Sequence, residues 1–140
     1  MTNSTATEVE SVVLRYFATV SDLGSSADDL LALVAPGLRV VEHPNPITPR
    51  GAVRDLEQTL QGLRAGKALL REQVFDVHEV LTCSDRAAVR ATWRGVVGVD
   101  AGPYRAGQEL VAHVAAVLTV QDGRVVDHET FDCYEPVGAQ

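Results

Sequence analysis

Between residues 8 and 21, apolar side chains recur at Val9, Val12, Val13, Tyr16, Phe17 and Val20. This stripe of about 3.6-residue period predicts an amphipathic helix. Gly24-Ser25-Ser26 breaks it, and Ser26 can cap a second helix over 28–34, whose first turn sets Asp28 and Asp29 against the helix dipole. Ala35-Pro36-Gly37 ends that helix and leads into a strand over 38–43. Alternation puts Val41 and His43 on one face of the strand and Val40 and Glu42 on the other. Pro44 cannot extend a central ladder, so the strand stops with His43 at its end. Thr48-Pro49 then reads as an N-cap and first helical position, opening a third helix over 49–63 with Val53, Leu56, Leu60 and Leu63 on its buried face.

From Lys67 onward the period becomes extended. Four segments follow, at about 69–82, 86–98, 108–121 and 124–134. Asp85-Arg86 and Asp122-Gly123 supply turns, the second a strong hairpin signal, and a longer loop spans 98–107. Helices first and a meander of long strands last predict an α+β fold, with an antiparallel sheet curled around the N-terminal helices and enclosing a pocket. No repeat or linker divides the chain, so residues 1–140 are expected to form one domain, with residues 1–7 a disordered tail.

Composition narrows the function classes. The 140 residues, 46% of them hydrophobic, suffice for one core and not for two comfortable domains. A formal net charge of -7 argues against a nucleic-acid partner, whose phosphates demand a basic face. No apolar run is long enough for a transmembrane helix, and residues 1–7 lack the pattern of a signal peptide. Cys83 and Cys133 have no metal-ligand spacing and read as free thiols in a reducing, cytoplasmic compartment. No zinc pattern, phosphate loop or G-x-S-x-G elbow is present, so no metal and no organic cofactor is expected.

The segments Val12-Val13-Leu14-Arg15-Tyr16-Phe17-Ala18, Asp29 to Ala35, Val40 to Pro44 and Pro49-Arg50-Gly51 resemble the N-terminal half of the ketosteroid isomerases. The closing Asp122-Gly123-Arg124-Val125-Val126, followed by Phe131-Asp132, resembles the SnoaL-like polyketide cyclases. Both belong to the nuclear transport factor 2-like superfamily, and the resemblance covers nearly the whole chain in element order. It implies a cone-shaped α+β fold with a small apolar molecule in its cavity. By that resemblance Tyr16 stands where an isomerase has the tyrosine that hydrogen-bonds the developing enolate, and His43 stands where it has its aspartate base. The second oxyanion donor would fall at about Ala116, which can donate nothing, so a steroid isomerase is not expected.

Alternation on the last strand groups Val126, His128, Thr130 and Asp132, and the resemblance turns this set into the cone. His128 and Asp132 form a possible second acid/base pair; alternatively, both lie solvated at the rim. Tyr16 reads equally as a buried core tyrosine, and His43 as a structural residue bonded to the following loop. The expected pocket lining is Phe17, Val41, Trp93, Ala116 and Thr130, with core packing an equal alternative for Trp93. Parity with Ala116 puts His113 on the outer face unless a bulge reverses it. His78, Arg90 and Arg94 read as surface or interface.

Two functions follow. One is an enzyme using His43, Tyr16, Asp132 and His128 for cofactor-independent acid–base chemistry, of the isomerase, cyclase, dehydratase or epoxide hydrolase type. The other is a non-catalytic binding or dimerisation module, favoured if the His43 ring turns away from the cavity. Apolar residues on both faces of the strands between 86 and 121 predict a homodimer packed through the sheet.

Overall fold

The computed structural model describes residues 5–137. Three helices, α1 (Ala6–Ser21), α2 (Ala27–Leu31) and α3 (Leu56–Leu69), precede or interrupt six strands. The strands are β1 (Val34–Glu42), β2 (Ala52–Arg54), β3 (Leu70–Cys83), β4 (Arg86–Val97), β5 (Glu109–Gln121) and β6 (Arg124–Tyr134). They form one open sheet in the order β2-β1-β6-β5-β4-β3. All neighbours are antiparallel except β1 and β6, which run parallel, so the sheet is mixed where an antiparallel one was expected. The α+β class, with helices against one face of a sheet that shelters a cavity, is as the sequence predicts.

Thr5 caps α1 by accepting from the Glu8 amide, so residues 5–7, expected in a tail, belong to the start of the helix. Residues 1–4 lie outside the described part. The predicted stripe is the buried face of α1: Val9, Val12, Val13, Tyr16 and Phe17 enter the core. They meet the inner residues of β4 and β5, among them Val89, Ala91, Ala116 and Leu118. Helix α2 is shorter than expected, because Leu33 and Val34 are buried and β1 already begins at Val34, which pairs with Val125. Helix α3 starts later than expected. Its cap is Asp55, in a reciprocal capping box with Gln58, and Thr48-Pro49 lies in the preceding turn.

The four long strands match their predicted spans closely. One bulge changes a facing: the β5–β6 register slips between Thr119 and Val120, so Val125 takes the buried inner place expected for Val126. Helix α3 has no fully buried residue, although Leu56, Leu60 and Leu63 pack against the core. Part of the face it turns toward the sheet borders a cavity.

Candidate active site

The cavity measures about 440 Å³ and lies between α3 and the inner face of the sheet. Thr59, Gly62, Leu63 and Gly66 of α3 form one wall. Leu110, Ala112 and Val114 of β5, with Phe75 and Trp93, form the other. Most of this lining is apolar, and the polar side chains come chiefly from the ends of β1, β2 and β6.

Glu42, the last residue of β1, enters the cavity beside Val40. Its Oε1 accepts from an Arg54 guanidinium nitrogen at 2.7 Å, and its Oε2 accepts from Asn45 Nδ2 at 2.8 Å. The loop after β1 is built to hold it. Asn45, buried, also donates to the His43 carbonyl at 3.0 Å and accepts from the Ile47 and Thr48 amides. Gly51, at φ +67°, lets the loop close: a Cβ there would lie 2.6 Å from the Glu42 carbonyl. Burial opposes ionisation of Glu42, but hydrogen bonds from Asn45, Arg54 and Thr48 and the Arg54 charge outweigh it. The pKa lies below the ordinary glutamate value.

Asp132 enters the same cavity from β6. Its Oδ1 accepts from Thr130 Oγ1 at 2.6 Å. Burial raises its pKa against that hydrogen bond; the negative charge of Glu42 adds to the rise and Arg54 offsets part of it. Two carboxylates beside one guanidinium therefore differ, one fixed as an anion and one holding a proton more readily than an ordinary aspartate. Tyr134, two residues on, shares the inner face and lines the cavity too. Burial and the negative charges of Asp132 and Glu42 raise its pKa, so the phenol stays protonated.

The aromatic wall is fixed by hydrogen bonds. Trp93 Nε1 donates to Gln73 Oε1 at 2.8 Å, and Gln73 Nε2 donates to the carbonyls of Val20 and Ser21 at the end of α1. The indole lies over Gly95, where a Cβ would come within 2.7 Å of its Cζ2 and Cη2. Its edge meets the Tyr134 ring in a T-shaped contact with centroids 6.1 Å apart. Among the described residues, no three His, Cys, Asp or Glu side chains are grouped to hold a metal ion, and no helix is long and apolar enough to cross a membrane.

The model of the SnoaL-like domain matches residues 13–128, most of the chain. The chain belongs to the SnoaL-like domain family. Solved structures agree at the level of the fold. IdmH of Streptomyces antibioticus, a candidate polyketide cyclase, is 20% identical with a TM-score of 0.73, over 89% of this chain and 91% of that one. AclR of Streptomyces galilaeus, a candidate hydroxylase, is 18% identical with a TM-score of 0.74, over 94% and 83%. An LEH-like epoxide hydrolase from M. tuberculosis is 16% identical with a TM-score of 0.68, over 90% and 83%. No curated protein matches the chain.

Within this SnoaL-like domain the residues singled out from sequence separate into three places. Asp132 and Trp93 line the cavity. Thr130 is buried beside it and reaches it only through Asp132. Tyr16, Phe17 and Ala116 belong to the packed interior, with half-buried His128 against them, and none of the four lines the cavity. There Tyr16 Oη and His128 Nδ1 lie 2.8 Å apart, and the rings of Tyr16, Phe17 and His128 meet edge to face.

His43 is not at the cavity. Its Nε2 bonds Glu129 Oε2 at 2.7 Å and its ring stacks on Phe131, with centroids 4.3 Å apart, on the outer face of the sheet. Val41 shares that face with it and is not a lining residue. The expected facing of β1 is thus reversed: Val40 and Glu42 point inward. His113 is on the outer face as parity suggests, paired with Glu135 at 2.7 Å. Sequence reading missed Glu42, Arg54, Asn45 and Tyr134. The parity that grouped His128, Thr130 and Asp132 already extends to Tyr134, and the Asn45-Pro46-Ile47-Thr48 turn could have marked Asn45 as a brace for the strand end.

Proposed function

We propose that this SnoaL-like domain is a small-molecule enzyme doing cofactor-independent acid–base chemistry on an apolar substrate in the cavity, with Asp132 and Glu42 as its machinery. The outward His43 ring removes the enzyme reading built on that residue and keeps the non-catalytic module as the second account. The reaction is of the isomerase, cyclase, dehydratase or epoxide hydrolase type. One observation carries the proposal: Glu42 and Asp132 enter one apolar cavity, where their pKa values are shifted in opposite directions, Glu42 downward and Asp132 upward. A group with a raised pKa, close to a fixed ion pair and free at one oxygen, is suited to taking and returning a proton.

In the isomerase form, Asp132 as carboxylate takes a proton from the carbon beside a substrate carbonyl. The C–H electron pair becomes the enolate double bond and the carbonyl π pair moves to oxygen. The proton returns from Asp132 to another carbon, and the carboxylate is regenerated. Glu42 stays charged throughout, holding Arg54 in place and keeping the proton affinity of Asp132 high.

The test uses 2-tetralone, a bicyclic ketone with exchangeable α-hydrogens, in deuterium oxide. Protein-dependent exchange followed by proton NMR is expected with the wild type, and Asp132→Asn should lower it by about 10²-fold or more. Absence of exchange above the buffer rate, or exchange equal in the variant, would leave a binding module as the better account. Glu42→Gln removes a neighbouring negative charge, so Asp132 should ionise at lower pH and the rising limb of the exchange profile should move down. A profile that stays put would detach Glu42 from the chemistry.

The outer face of the sheet supports a homodimer as a further part of the proposal. Ala88, Ala115 and Phe131 are exposed there among polar pairs, including the hydrogen-bonded His43–Glu129 and His113–Glu135 and the ion pair Arg90–Glu79. The two free, exposed thiols support a reducing, cytoplasmic setting.

A further inference from the structure

The polar groups of the cavity are mostly spent on one another. The Trp93 indole nitrogen is bonded to Gln73, which is bonded in turn to α1; Glu42 is held at both oxygens, and Asp132 is held at Oδ1. The Tyr134 hydroxyl, by contrast, makes no hydrogen bond among the described residues. It is not among the buried unpartnered atoms, so it is accessible, and the Tyr134 side chain lines the cavity. Its ring is fixed against Trp93, and Asp132 stands two residues away on the same face of β6. Successive same-face residues of a strand are about 7 Å apart at Cα, a separation at which two side chains can reach one small functional group.

We propose that Tyr134 is a catalytic residue of this cavity: it donates a hydrogen bond to the single oxygen of a neutral, otherwise apolar substrate whose proton Asp132 handles. The neutral class follows from the charges. Arg54 is the cation of the cavity and Glu42 already neutralises it, so a carboxylate or phosphate ligand would meet Asp132 and Glu42 with no free cation. A carbonyl or hydroxyl oxygen needs only one donor, and Tyr134 remains protonated to supply it. As negative charge develops on that oxygen the same bond strengthens, which is what distinguishes catalysis from holding.

The chemistry of this inference rests on the acid–base reading above, but donation by Tyr134 is measurable without turnover. The probes are 2-naphthol and naphthalene, which differ by one hydroxyl. By fluorescence titration the wild type is expected to bind 2-naphthol more tightly than naphthalene. Tyr134→Phe should weaken 2-naphthol about tenfold and leave naphthalene within about twofold, the scale of one lost hydrogen bond. Replacing Tyr134 with 3-fluorotyrosine, a more acidic donor of nearly the same shape, should tighten 2-naphthol selectively. The same affinity for 2-naphthol in all three proteins, or no 2-naphthol binding by the wild type, would overturn the inference. The two claims separate cleanly. Tyr134-dependent naphthol binding without 2-tetralone exchange would sink the acid–base reading alone. Exchange that needs Asp132, with naphthol binding indifferent to Tyr134, would sink this inference alone.

Discussion

The His128 side chain spends Nδ1 on Tyr16, while its Nε2 is shut off from solvent with no partner among the described residues. Protonating that ring would put a charge where nothing receives it, and burial pulls its pKa down to about 4. The unfolded chain binds this proton near the ordinary value of 6.5, the folded chain only near 4. Stability from neutral His128 is therefore complete above pH 6.5 and falls as pH drops toward 4, by up to about 3 kcal/mol. Thermal unfolding of His128→Gln, which keeps a partner for Tyr16 but cannot titrate, should lack this slope; an unchanged slope would acquit His128. Asp132 has the opposite sign. Its raised pKa means that its stabilising, protonated form is lost as pH rises through the folded value. Asp132→Asn should thus raise Tm by a few degrees at pH 7 while it removes proton transfer, and a lowered Tm would contradict that. His43 bears on neither quantity. Placed outside against Glu129 and Phe131, it should tolerate His43→Gln with 2-tetralone exchange within about twofold of wild type.

At the scale of elements, α1 and the four strands β3 to β6 were legible, because their periods of 3.6 and 2 persist over many residues. Short elements were not. β2 has three residues, and its Val53 reads as a helix stripe position with Leu56 and Leu60, though it is exposed on an edge strand. Long-range pairing was not legible either. The parallel ladder between β1 and β6 joins residues far apart in sequence and decides which of Glu42 and His43 faces inward. Alternation grouped those residues correctly and could not choose the side; a one-residue difference in facing exchanges the whole set. The packing of β4 offers a check on the aromatic wall. Gly95→Ala would force the Trp93 indole off its seat, because Gln73 holds the nitrogen end in place. Weaker naphthalene binding together with a lower Tm is expected, and unchanged binding would show that the indole does not shape the cavity.

For the whole molecule, one sheet serves two purposes on its two faces. The inner face carries the core and the cavity, and the outer face carries exposed apolar groups among hydrogen-bonded polar pairs. Sedimentation equilibrium at micromolar concentration should give twice the mass of one chain, and a single-chain mass would remove the homodimer. The central claim is narrower: one cavity holds two carboxylates whose proton affinities are shifted in opposite directions. Carbon-13 NMR of the side-chain carboxyls, assigned with Asp132→Asn and Glu42→Gln, reads both titrations in the same sample. The midpoint of Asp132 is expected above the ordinary aspartate value and that of Glu42 below the ordinary glutamate value. An Asp132 that titrates at or below the ordinary aspartate value, or a Glu42 that titrates at or above the ordinary glutamate value, would contradict the account.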